Sequence, residues 1–461
     1  MFQKNFPTGK TELLQRPGWY TMTNSPGKWF RSRFLSALSR AAGPGLASVL
    51  TGALALAPVT THAQAAQATA PLHWVASWGA AQQIPEPQNA LSSDDLDHAV
   101  LRQLVHLSLG GSQLRLRLSN AFGTTPLRID SVHVARALSP STSAIDTATD
   151  HAVRFSGSES VTIPAGAEYI SDPVSLPVAP LSTLTVTLSI PAAPARQTGH
   201  PGSRATSYIA HLVSAAAPEL PAAHTVEHWY FLSGVDVAAP AQAAAIVAFG
   251  DSITDGHACT TNGNDRWTDD LAARLQANPA TRSLSVINTG IGGNHLLTDG
   301  LGPNALARFD RDILARPGVR TVLVLEAIND LGALSRMPDV TAAQHADLVA
   351  RLIAAYQQIL DRAHAAGLTV LGGTLTPWLG SDYYHPDAAS EADRKALNAW
   401  IRTPGHFDAV VDFDRAVRDP ANPGHMVPAF DSGDHLHPSP AGYKAMADSI
   451  PLLLLAPATA P

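Results

Sequence analysis

Gly250-Asp251-Ser252-Ile253-Thr254-Asp255-Gly256 sets a serine between flexible glycines, directly after an apolar run. A serine hydroxyl is too weak an acid to attack an ester unaided and needs an adjacent base. Asp431-Ser432-Gly433-Asp434-His435-Leu436-His437-Pro438 can supply one. His437 can take the proton near neutral pH, and Asp434 can hold the ring through its other nitrogen. An acyl transfer also needs donors aimed at the developing oxyanion, each worth roughly 3–4 kcal/mol. Gly290-Ile291-Gly292-Gly293-Asn294 offers bare backbone N–H groups, and Glu326-Ala327-Ile328-Asn329-Asp330 offers an amide side chain.

Each segment has a plainer reading. Ser252 can cap a helix, the glycine run can be a tight turn, and Asn329 can cap a loop. The first segment is not a phosphate loop, because no Walker lysine follows, nor is it a G-x-S-x-G elbow. Asp434, His435 and His437 can be read as metal ligands, but no further ligand cluster stands at motif spacing. His73, His257, His295, His385 and His435 read as surface or packing residues. Four chemically matched groups after four different strands are harder to dismiss than any one.

The elements that must position these groups fall into two classes. Between residues 71 and 238 the pattern is period two: Leu114, Leu116 and Leu118 alternate with Arg115, Arg117 and Ser119. Leu184, Val186, Leu188 and Ile190 alternate with Thr185, Thr187 and Ser189. One polar side implies half-buried antiparallel strands, and repeated proline turns suggest a β-sandwich-like domain. Gly110-Gly111 reads as a hairpin between Leu101–Leu109 and Gln113–Ser119. The Ala/Pro-rich stretch 238–245 reads as a linker.

From residue 245 to 455 the strands become continuous apolar runs separated by helices. The runs are Ala245–Phe249, Leu284–Asn288, Val319–Ile328, Leu368–Leu375 and Ala409–Asp414. Thr341–Ala366 is a helix ended by Gly367. Strand–helix alternation implies a parallel sheet covered on both faces, with its chemistry at the carboxyl ends of the strands.

These residues, in this order, resemble the SGNH (GDSL-type) serine hydrolases over about Ala245–Leu455. The resemblance implies a flavodoxin-like three-layer α/β/α fold, no metal and no cofactor. It makes Ser252 the nucleophile and a backbone oxyanion donor, Gly293 the second donor and Asn329 the third. Asp434 orients His437 as base. One departure stands out: the third block usually begins with glycine, and here Ala327 takes that place. Trp74-Val75-Ala76-Ser77-Trp78, Arg117–Gly123 and Trp229–Gly234 look like a secreted bacterial branch, similar to xylan-associated arylesterases and acylhydrolases, with an N-terminal β-domain. Trp74, Trp78, Phe122 and Trp229 are candidates to line an acyl or sugar site, or to be core.

The expected activity is a serine carboxylic ester hydrolase acting on short acyl, especially acetyl, esters of carbohydrate. A lipase or thioesterase of longer chains is the alternative, and a carbohydrate-binding protein with a vestigial hydrolase the rival from another class. Composition narrows the field. The chain has 461 residues, 45% hydrophobic and 15% charged, which argues against disorder. A lone Cys259 excludes an internal disulfide framework. The net charge is −7, of which residues 1–65 contribute +6, so the remainder carries −13. Such a surface argues against a nucleic-acid partner and favours neutral esters over anionic ones. Basic residues Lys28 to Arg40, an apolar stretch around Leu46–Leu56 and Ala63-Gln64-Ala65 describe a leader over 1–65. It implies a secreted or periplasmic protein, with no stable membrane association after cleavage.

Overall fold

A computed structural model describes residues 72–456, and the leader expected over 1–65 lies outside them. The described residues lie in one compact unit. Its amino-terminal part is antiparallel. One sheet has the strand order Leu72–Gly79, Leu232–Pro240, Leu114–Ser119, Glu168–Ile170. The other runs His224–Val226, Ser207–His211, Ala99–His106, Thr183–Ile190, Ser131–Arg136, His151–Val153.

The strands are less half-buried than period two implies. Arg117, Ser119, Thr185 and Thr187 are buried along with the leucines beside them. The polar face survives burial because it is paired. Arg115 and Arg117 meet Asp236 at 2.9 and 3.0 Å, and Arg102 donates to Thr187 Oγ1 at 2.9 Å. Gly110-Gly111 is not a hairpin either, since Ala99–His106 and Leu114–Ser119 belong to different sheets. The glycines allow a close crossing between them. A Cβ on Gly110 would lie 2.6 Å from the Val178 carbonyl, and one on Gly111 2.7 Å from Val237.

Stretch 238–245 is not a loose linker. It holds the end of strand Leu232–Pro240, a short turn closed by Ala243 N–H to Pro240 O (2.8 Å), and the start of the next strand. From here the chain is parallel α/β. Five strands, β1 (Ala244–Gly250), β2 (Leu284–Gly290), β3 (Val319–Leu325), β4 (Thr369–Gly373) and β5 (Ala409–Val411), form a parallel sheet in the order β2-β1-β3-β4-β5. That is the flavodoxin-like order, with β1 buried along its whole length. Its helices include α1 (Ser252–Asp255), α2 (Trp267–Ala277), α3 (Ile328–Ser335), α4 (Ala342–Ala365), α5 (Ala388–Arg402) and α6 (Pro440–Ser449). Helix α4 begins with a Thr341/Gln344 capping box and ends before Gly367, whose φ of +74° stops it.

The two parts share one hydrophobic core. The sandwich lies along β2, the outer strand of the parallel sheet. Ser285 Oγ donates to Ala76 O (2.6 Å), and the Val286 N–H to Ser108 Oγ (3.0 Å). Trp78 and Trp229 are core residues here, edge to face with ring centroids 4.8 Å apart, and Trp229 Nε1 donates to Leu104 O. Arg115 lies over Trp74 and Arg311 over Phe122. Among the described residues no helix is long and apolar enough to cross a membrane.

Candidate active site

Strand β1 ends at Gly250 and the chain turns at once into α1. Asp251 caps that helix, its Oδ1 accepting the Ile253 N–H at 2.9 Å, which leaves Ser252 as the first helical residue. Burial pushes the Asp251 carboxyl up to about 7; the Ile253 hydrogen bond and Arg308 oppose this, and Asp330 and Asp255 add to it.

The last loop before α6 meets this serine across the top of the sheet. Ser252 Oγ lies 2.8 Å from His437 Nε2, and His437 Nδ1 lies 2.6 Å from Asp434 Oδ2. Asp434 Oδ1 accepts the backbone N–H groups of His437 (2.8 Å) and Leu436 (3.0 Å), so the Asp–His pair is built by its own turn. Partial burial works against the Asp434 charge. The hydrogen bonds and charge of His437 overcome it and hold the carboxyl well below the usual range. Ser252 and His437 are 7% and 8% exposed, open enough for a small reactant and dry enough to strengthen the pairing.

Strand β2 delivers the glycine loop. Gly293 takes a φ of +65°, and Gly292 N–H is held by Asp255 Oδ2 at 3.1 Å. Strand β3 delivers Asn329. Its Oδ1 accepts from the Tyr384 hydroxyl (2.7 Å), and its Nδ2 donates to Asn294 O (2.7 Å). Those two partners fix which way the amide faces and leave a second Nδ2 proton available. The carboxyl ends of β1, β2 and β3 are adjacent, with Gly250 paired to both Gly290 and Leu325. The five residues marked by the sequence motifs therefore stand on one rim of the sheet.

Ala327 has a φ of +95°, in the left-handed region. An L side chain there costs about 1–2 kcal/mol, which explains why glycine is usual at this place. Ala327→Gly is expected to raise stability by about 0.5–1 kcal/mol, the strain relief less the entropy of glycine, with kcat unchanged. Urea unfolding at constant m checks it. A fall in kcat would show that the methyl helps to present Asn329.

Several residues with no motif signal also shape the site. His257 stacks on His437 at 4.0 Å between centroids, and burial, His437 and Arg204 lower its basicity to about 4. It is thus part of the site rather than a bystander. His257, Asp434 and His437 place ligand atoms within 4.8 Å of one another, the arrangement of a candidate metal set. His437 bonds Ser252 and Asp434, Arg204 donates to His257 Nδ1 at 3.1 Å, and His257 Nε2 lies 4.0 Å from Asp434 Oδ2. His435 points elsewhere, to Asp431 at 2.6 Å. Cys259 is buried and its thiol is pushed up by that burial, so it is not a poised nucleophile.

Arg308 lies beneath the rim, fully buried. It donates to Gly250 O (2.9 Å), Thr289 O (2.6 Å), Asn294 Oδ1 (2.9 Å), Asp312 Oδ2 (3.1 Å) and Glu326 Oε1 (3.1 Å). It thus ties together the segments that carry Ser252, Gly293 and Asn329.

Residues 248–445 match the model of the GDSL-like Lipase/Acylhydrolase family. None of the curated proteins is a significant match to the chain. Solved structures that resemble it include an alpha/beta hydrolase enzyme from the metagenome of Lake Arreo, Spain (23% identity, 45% of this chain and 94% of that one, TM-score 0.33). Others are the acetyl xylan esterase AlAXEase (19%, 44% and 96%, TM-score 0.34) and the native M. smegmatis aryl esterase (19%, 45% and 96%, TM-score 0.33). Residues 248–445, which carry the match to that family model, thus hold a serine, a histidine and an aspartate in hydrogen-bonded series at the sheet rim, the arrangement of a serine ester hydrolase.

Proposed function

We propose that the protein is an exported carboxylic ester hydrolase acting on short acyl, chiefly acetyl, esters of carbohydrate through an acyl-enzyme. The observation that carries the mechanism is the series Ser252 Oγ to His437 Nε2 (2.8 Å) to Asp434 (2.6 Å). His437 takes the Ser252 proton as Oγ attacks the ester carbonyl. The N–H groups of Ser252 and Gly293 and the Asn329 amide stabilise the oxyanion. His437 then protonates the departing alcohol and activates the water that releases the acid.

Export rests on the leader pattern of residues 1–65, and the carbohydrate ester on the motif resemblance of the upstream β segment. Tyr383, 60% exposed, packs at a steep angle against Tyr384, one ring from Asn329, with the Arg336 guanidinium over its ring at 4.9 Å, and adds an aromatic, hydrogen-bonding edge at which a sugar can be held.

Profiling p-nitrophenyl esters from C2 to C16 beside acetate release from acetylated xylan tests the reading. The expected kcat/KM is highest at C2–C4, with acetate released from the polymer. A preference for C10 or longer, without acetate release, would overturn the carbohydrate reading and favour a lipase or thioesterase.

A further inference from the structure

A second buried histidine–aspartate pair lies behind the oxyanion loop, and its histidine comes from the β-sandwich. His200 is 3% exposed. Its Nδ1 is 2.8 Å from the Ala81 carbonyl and its Nε2 2.8 Å from Asp255 Oδ1. With oxygen acceptors on both sides, the ring donates to Ala81 and shares its other proton with Asp255. The second Asp255 oxygen accepts the Gly292 N–H at 3.1 Å, one residue before Gly293. Both carboxylate oxygens are thereby used: one faces the sandwich and the other the loop. Trp229 stacks on the His200 ring at 5.6 Å, and a Cβ on Gly202 would fall on the Asp255 carboxylate, so the pair has little room to shift.

A second grip acts further along the same loop. Gln83, whose backbone pairs with Gly199, donates from Nε2 to Leu301 O at 3.2 Å. Leu301 lies against Gly293, where a Cβ would stand 3.2 Å from its Cδ1. The sandwich thus holds the loop at two points on either side of Gly293.

We propose that His200 is a positioning residue for ester hydrolysis: through Asp255 it sets the Gly292–Gly293 peptide so that the Gly293 N–H faces the developing oxyanion. The sandwich is then a working part of the oxyanion hole rather than an appended domain. The proposal rests on the ester-hydrolase reading of Ser252 and not on the carbohydrate reading.

The test compares the full-length wild type with His200→Ala, His200→Gln and the isosteric Asp255→Asn. The readouts are kcat and KM on p-nitrophenyl acetate, the rate of Ser252 phosphonylation by a p-nitrophenyl alkylphosphonate, and the melting temperature. Loss of a whole oxyanion donor costs about 10²–10³ in kcat, so a displaced one is expected to cost about 10- to 100-fold. His200→Ala and Asp255→Asn should lower kcat by that factor with KM within about threefold, and phosphonylation should slow in parallel. His200→Gln, which keeps a donor toward Asp255, should recover part of the loss. A role in stability alone would lower the melting temperature and leave kcat unchanged below the transition. Wild-type kcat in folded His200→Ala or Asp255→Asn overturns the proposal, and Asp255→Asn decides if His200→Ala does not fold. A wild type inert to both ester and phosphonate would instead sink the hydrolase reading itself.

Discussion

Ser252→Ala is expected to lower kcat on p-nitrophenyl acetate by about a millionfold while the melting temperature stays at the wild-type value. The hydroxyl is small and makes one strong side-chain contact, to His437, so its loss removes the nucleophile and little packing. Asp434→Asn should be milder, at about 10⁴-fold. The asparagine keeps the turn, because its oxygen can still accept the N–H groups of Leu436 and His437, but it no longer charge-stabilises the ring on Nδ1. Active-site titration with a fluorophosphonate separates the two variants: Asp434→Asn should label slowly and Ser252→Ala not at all. Full labelling or full activity in Ser252→Ala would sink the assignment of the nucleophile.

The largest effect on stability should come from Arg308→Ala, at about 3–5 kcal/mol. The arginine carries no exposed surface, and its fork reaches the end of β1, the end of β2 with its following loop, and two carboxylates. Removing it leaves Asp312 and Glu326 buried with less positive charge, close to Asp251. Burial and Asp251 push the Glu326 carboxyl well up and Arg308 opposes them, so loss of the guanidinium removes that opposition. Arg308→Lys should recover only a fraction, because one ammonium cannot replace a planar five-donor fork. The urea midpoint measures both variants. A loss below about 1 kcal/mol for Arg308→Ala would mean that the rim is held by other contacts.

What the sequence discloses follows from how local each signal is. Ser252 is legible because a strand, a cap and a glycine stand within seven residues of one another, and the Asp434–His437 pair because one turn holds it. Parallel strands are legible as unbroken apolar runs. Tyr384, Arg308 and His200 are not, since each acts on a partner that only the fold brings near. His200 meets Asp255 across 55 residues and Tyr384 meets Asn329 across 55. The antiparallel part misleads for a related reason. Arg115 and Arg117 look like a solvent face until Asp236 neutralises them, and two adjacent glycines look like a hairpin until the chain is seen to change sheets.

The cover along β2 has a further consequence. A bare outer strand presents a row of unpaired N–H and C=O groups, on which another chain can add itself. The run Leu284–Gly290 is the kind that invites such addition, being β-branched in part and free of charge and proline. Ser108 occupies the Val286 N–H, and the neighbouring strand Leu72–Gly79 lies alongside. A hydrolase cut free at residue 244 would lose this guard along with the grip on its oxyanion loop. Its failure would therefore show as self-association as well as lost turnover.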